Sequence, residues 1–207
     1  QDSMLVNMNN TPFDFFDGES VLHGNVNLTS QGLLGEGLMD WEDANLRSGN
    51  FRFQAMIMDA DSARLKIKSL DTAVSVFTLP NAKSHVDFEK RIGKFKSNID
   101  EPTELPYNQF LVTMNEFDWD MNKELIEFKP AENQTHADFI SIHPEQDSLR
   151  FTATEGRYDM KNYVVRAEGV PYVRVADADI IPDSGKVVIE ADAAVSYTHL
   201  TLPTRRF

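Results

Sequence analysis

The chain of 207 residues contains no cysteine. That excludes disulfides, thiol nucleophiles and thiolate metal sites, and it leaves the compartment open. No apolar run approaches the ~18 residues that a membrane-spanning helix needs. Positive charge is scarce: residues 1–46 hold neither lysine nor arginine, and 20 basic residues face 33 acidic ones for a formal net charge of −13. A balance of that sign argues against nucleic acid, whose phosphates need clustered Lys and Arg, and against docking on anionic lipid headgroups. Helical spacing is not sustained anywhere. The glycines of GLLGEG, at 32, 35 and 37, have the wrong spacing for a dinucleotide loop and read as bulges or corners. There is no GxSxG elbow and no HExxH pair among the 5 histidines, so neither a hydrolase elbow nor a zincin helix is encoded.

What is present is alternation. Hydrophobic content of 41% and charged content of 26% are those of a folded protein. In FRFQAMIM, Phe51, Phe53, Ala55 and Ile57 share one face; in ARLKIKS, Leu65 and Ile67 oppose Lys66 and Lys68. The same period of two runs through Phe110, Val112 and Met114, through Leu149, Phe151 and Ala153, and through Tyr163, Val165 and Ala167. The pattern predicts an all-β chain of about a dozen or more mostly antiparallel short strands, arranged as a β-solenoid or as repeated jelly-roll or sandwich units. Ile181-Pro182-Asp183-Ser184-Gly185-Lys186 predicts a hairpin turn. Composition divides the chain into a β-rich unit at 1–97, a linker at 98–108 with two prolines and three acids, and a second β-rich unit at 109–194. Residues 195–207, within AVSYTHLTLPTRRF, resemble adapter read-through and are read as a non-native tail; Gln1 in place of Met marks a mature product or a fragment.

FDWDMNKELIEF places Asp118, Asp120, Asn122 and Glu124 at every second position, as oxygen ligands stand in a calcium loop. A helix-flanked calcium loop needs Gly at its sixth position and Glu at its twelfth; counted from Asp118, Lys123 and Lys129 stand there. These four residues are weak metal candidates, and a corner between strands is the favoured reading. The motif has an echo: Trp119-Asp120-Met121-Asn122-Lys123 returns as Tyr158-Asp159-Met160-Lys161-Asn162, 39 positions later (119 to 158), and Met39-Asp40-Trp41 is a poorer third copy. Recurrence of that kind points to stacked strand–turn units. Trp41 and Trp119 are read as core. Lys83, Lys90, Arg91, Lys94 and Lys96 crowd one segment, but Asp87 and Glu89 among them favour a solvated mixed-charge face over an anion patch. Ser84-His85-Asp87 is no triad, because strand neighbours point to opposite faces.

LTSQGLLGEG near the start and DSLRFTATEGRYDMKNYVVRAEGVPYVRVADADIIPDSGKVVIEADA near the end resemble the very large, uncharacterised envelope proteins of Bacteroidota over about residues 1–194. The resemblance implies an exported, multi-repeat protein in the periplasm, at the outer membrane or on the cell surface, with no reaction and no catalytic residue to carry over. The strand pattern is also similar to the jelly-roll repeats of lipopolysaccharide-transport proteins, which hold acyl chains in an apolar groove. Asp2-Ser3-Met4, Asp61-Ser62-Ala63, Asp71-Thr72-Ala73 and Asp147-Ser148-Leu149 resemble the O-glycosylation acceptor of that phylum, which makes Ser62 and Thr72 the candidate glycan acceptors. The expectation is therefore a non-catalytic structural or scaffolding segment, without cofactor and without nucleic acid, whose partners are envelope glycan, lipid or protein. The alternatives are a lipid- or glycan-binding β module and a carbohydrate-active enzyme, which would need two carboxylates across a cleft.

Overall fold

A computed structural model describes residues 4–6, 12–69, 75–130, 134–146 and 149–196. These residues are all-β, every recorded strand pair is antiparallel, and no closed solenoid forms among them. The chain divides into two compact units, Gln1–Ile99 with Asp120–Asn122, and Asp100–Trp119 with Lys123–Phe207.

The first unit is one meander of long strands. After β1 (Met4–Val6) and β2 (Phe13–Phe15) come β3 (Ser20–Thr29), β4 (Gly32–Trp41), β5 (Ala44–Phe53), β6 (Ile57–Lys68), β7 (Ser75–Asp87) and β8 (Ile92–Ser97). They pair in sequence order, with β1 and β2 both on β3. Strands of 10 to 13 residues are longer than the alternation predicts, because a row of small residues lets each strand bend without ending. That row crosses the sheet in register: Gly24 opposite Gly37, Gly37 opposite Ser48, Ser48 opposite Ala63, Ala63 opposite Ala82, and Ala82 opposite Ser97. Register shifts fall on it, between Gly35 and Gly37 and between Ala60 and Ala63, as bulges that turn a strand do. FRFQAMIM is not one strand. Gln54–Met56 form the turn between β5 and β6, where the Gln54 N–H donates to the Ile57 carbonyl at 2.9 Å. Inward, Leu22, Met39, Leu46, Phe51 and Met58 are fully buried, and Phe88 stacks on Phe16 at 4.2 Å between ring centroids.

The second unit is built from short strands: β9 (Thr103–Leu105), β10 (Phe110–Val112), β11 (Glu116–Asp120), β12 (Leu125–Lys129), β13 (Ala137–Ser141), β14 (Arg150–Ala153), β15 (Glu155–Asp159), β16 (Val164–Glu168), β17 (Val173–Val175), β18 (Ala178–Ile180), β19 (Lys186–Ile189) and β20 (Val195–Ser196). The segment read as a linker holds β9, which pairs with β10, so it belongs to a sheet. Successive strand pairs alternate between two sheets. One has the order β18-β17-β14-β13-β10-β9; the other runs through β11, β12, β15, β16, β19 and β20. Only Thr154 separates β14 from β15, so a single extended stretch crosses from one sheet to the other. The inner faces of these sheets meet: a Cβ at Gly156 would lie 3.1 Å from Phe128 in its own sheet and 3.2 Å from Phe139 in the other. Phe139 stacks on Phe151 at 4.9 Å. Pro182–Gly185 is a turn, closed by the Gly185 N–H on the Pro182 carbonyl at 3.0 Å, but it joins β18 to β19 in different sheets and is not a hairpin. Val195–Ser196, at the start of the segment read as a tail, pair with Val188–Ile189; residues 197–207 lie outside the described residues.

The echo motif is a recurring four-residue turn. Met121–Glu124 and Met160–Tyr163 each end on a residue with positive φ, 52° at Glu124 and 53° at Tyr163, and Phe88–Arg91 ends the same way at 54°. An Asp precedes each turn. Asp159 accepts the Asn162 N–H at 3.1 Å, and Asp87 accepts the Lys90 N–H at 2.9 Å, which closes the turn from its side chain. The first turn residue, Phe88, Met121 or Met160, is buried and anchors the turn in its core. Met39-Asp40-Trp41 is no copy, since it lies inside β4.

Candidate functional site

A concavity of about 530 Å³ lies on the first unit along the row of small residues. Its floor is backbone. A Cβ at Gly24 would sit 1.9 Å from the Glu36 carbonyl oxygen, and one at Gly37 (φ 134°) would sit 2.3 Å from the His23 carbonyl oxygen, so neither position admits a side chain. Polar side chains span the crease in a chain of hydrogen bonds. Asn25 donates to Glu36 at 2.8 Å, Ser48 to the Ser62 carbonyl at 2.8 Å, and Ser62 to Asn81 at 2.9 Å. Arg47 and Arg64 line the same crease and stand directly opposite each other on β5 and β6. Both are exposed, and among the described residues neither forms an ion pair. Lys66, two residues beyond Arg64 on the same face, has none either. Neighbouring charges are differently placed: Arg52 forks onto Asp61 at 2.6 and 2.9 Å, and those hydrogen bonds hold the Asp61 carboxyl below the usual carboxylate range.

The four metal candidates do not gather. Asp118, on the outer face of β11, is ion-paired with Lys129, whose ammonium is held above its ordinary range by that hydrogen bond. Asp120 ends β11, Asn122 is exposed within the turn, and Glu124 closes it at positive φ, its Oε2 buried and without a hydrogen bond among the described residues. Among the described residues, no group of three or more His, Asp or Glu side chains is placed to hold a metal. Ser62 is exposed in the crease but its hydroxyl is engaged by Asn81. Thr72 lies outside the described residues. Trp41 and Trp119 are buried, at 5% and 1% exposure, so they form no sugar-stacking platform. His85 pairs with Asp59 at 2.8 Å on the outer face while Ser84 is buried on the inner one, so the triad-type residues do diverge. The basic segment is mixed in charge: Lys90 bonds Asp87 at 2.7 Å, Arg91 bonds Asp43 at 2.8 Å, and Lys83 stands opposite Lys96.

A smaller pocket of about 260 Å³ lies on the outer face of the six-stranded sheet of the second unit, between Asp138, Arg150, Thr152 and Tyr172. Arg174 closes one side, fixed by Asp179 at 2.8 and 3.2 Å and lying 5.3 Å from the Tyr172 ring centre. The crease of the first unit escapes sequence reasoning because Arg47 and Arg64 are 17 positions apart (47 to 64). Only the register of β5 on β6 makes them neighbours. Comparison with known protein families, with curated proteins and with solved structures finds no match for this chain.

Proposed function

We propose that the chain is a non-catalytic structural or scaffolding segment of a large exported bacterial envelope protein, residing in the periplasm, at the outer membrane or on the cell surface. On this reading its finer architecture is a series of repeated sandwich-like units, similar in plan to jelly-roll repeats. The observation that carries it is one turn, Asp-Met-x-x followed by a positive-φ residue, recurring at 120–124 and 159–163 with strand pairs that alternate between two sheets. Such a plan grows by adding strand pairs, each burying its apolar face on the last, and that serves length and rigidity better than a single catalytic cleft. The carboxylates support the same reading, since Asp118, Asp61, Asp179 and the buried Asp87 are each committed to a basic neighbour. A binding role is the second reading, favoured by the crease at Arg47 and Arg64. Its polar lining suits a hydrophilic ligand rather than an acyl chain.

Fractionation of the native producing cell, followed by immunodetection, tests the scaffold. Recovery with the envelope, in an assembly larger than the chain itself, is the expected result. A freely soluble cytoplasmic protein would overturn it.

A further inference from the structure

We propose that the crease of the first unit binds an organic phosphate, with the phosphate between Arg47 and Arg64 and a polyol portion along Ser62 and Asn81. Directly opposed residues of an antiparallel pair have Cβ atoms about 5 Å apart, and like charges so placed repel. A chain with a net charge of −13 has acids to spare, yet no carboxylate joins either guanidinium among the described residues. Elsewhere in this unit arginines are neutralised: Arg52 on the sheet by Asp61, and Arg91 in a turn by Asp43. Two guanidinium groups carried by opposed residues that line one crease offer a fork to a tetrahedral phosphate oxyanion, and Lys66 adds a third cation on the same face. Glu36, the one acid lining the crease, accepts a hydrogen bond from Asn25 and pairs with neither arginine. Glycine backbone at 24 and 37 leaves the floor open to close approach, and about 530 Å³ accommodates a sugar phosphate with room for water.

This inference does not depend on the scaffold reading, and the cell fractionation leaves it untouched. Isothermal titration of the whole chain with glucose 1-phosphate, with glucose, and co-sedimentation with phosphatidylglycerol vesicles form the test. Saturable binding of a phosphate probe is expected, with none for glucose. Arg47→Gln and Arg64→Gln should each weaken it roughly tenfold or more, the scale of one charge-assisted pair. The soluble and vesicle arms separate a free sugar phosphate from a lipid headgroup, and either one, lost in both variants, upholds the site. Lys94→Gln removes the same charge from the sheet outside the crease and should leave affinity unchanged. Both arginine variants should also melt no lower than the parent, because each removes a like-charge opposition. No phosphate binding, equal binding of glucose, or an equal loss in Lys94→Gln would overturn the proposal.

Discussion

Asn108 donates from its side-chain amide to the Tyr163 carbonyl oxygen at 2.7 Å, and the same nitrogen lies 3.2 and 3.0 Å from the carbonyls of Ile189 and Glu190. It is fully buried, and it ties the turn before β10 to the ends of two strand pairs in the other sheet of the second unit. Three acceptors around one NH₂ group leave no substitute for an amide donor. Asn108→Ala is expected to cost about 2 kcal/mol or more, because the carbonyls lose their partner without gaining water. Asn108→Asp should cost more, since a carboxylate would face three carbonyls, and should be less damaging near pH 4 than near pH 7 because the neutral acid keeps one donor. Urea denaturation of the three proteins checks this, and an Asp variant as stable as the parent at neutral pH would show that Asn108 is not the tie.

Tyr158 presents the opposite case. It is fully buried, its hydroxyl finds no hydrogen-bond partner among the described residues, and burial, with Tyr163 and Tyr107 nearby, pushes the phenol well above its ordinary range. The equivalent position of the preceding turn, 39 residues earlier, holds Trp119, so the site requires a large ring rather than a phenol. A buried hydroxyl left unbonded costs ~1–3 kcal/mol. Tyr158→Phe is therefore expected to raise stability by about 1 kcal/mol, read as a higher melting temperature by circular dichroism. A clear loss would mean that the hydroxyl is satisfied.

Asp159 gives the turn a pH dependence. Burial opposes its ionised form, but hydrogen bonds from the Asn162 side chain and backbone, with Arg166 nearby, outweigh that and hold the carboxyl below its ordinary range. A depressed carboxyl contributes its full stability above the unfolded value, near 4 for aspartate, and loses it as pH falls through the folded value. Asp159→Ala should thus cost about 1 kcal/mol at neutral pH, and the gap to the parent should close only in acid below the ordinary aspartate range. Melting curves across that range decide it. A gap independent of pH would assign the cost to packing instead.

Much of the second unit was legible from alternation alone, because its strands are short and one face of each is buried: Phe110 and Val112, and Phe151 and Ala153, alternate inward as their spacing requires. The echo at Trp119 and Tyr158 also signalled a real recurrence. The length of the strands in the first unit was not legible. Gly, Ser and Ala read as interruptions in a line of text, whereas in the sheet they align across neighbouring strands into one bend that leaves the pairing intact. Oxygen ligands at every second position looked like a metal loop, yet the strand ends at Asp120: Asn122 and Glu124 belong to the turn, and Asp118 lies on the outer face of β11. There Asp118 met Lys129, eleven positions away (118 to 129), which only the pairing of β11 with β12 brings near. Long-range register, which a linear pattern does not carry, makes both the bend and the Asp118–Lys129 pair.

The recurrence itself can be tested by removing one period. The Met160 N–H donates to the Glu124 carbonyl at 3.0 Å, so the first residue of one turn rests on the last residue of the other. Deleting residues 125–163, which is 39 residues, joins Glu124 to Val164 and follows β11 with β16, a strand of the same sheet. β17 then follows in the other sheet, as β13 did after β12, so the alternation is preserved. In a repeat each unit contacts its neighbours, and loss of one leaves a shorter protein of the same kind. The deleted chain should remain soluble and keep its strand-type circular dichroism. Its summed urea dependence should fall by about a fifth, in proportion to the surface removed. Aggregation, or loss of the strand signal, would mean that the second unit is a single closed core in which β12 to β15 have no equivalents.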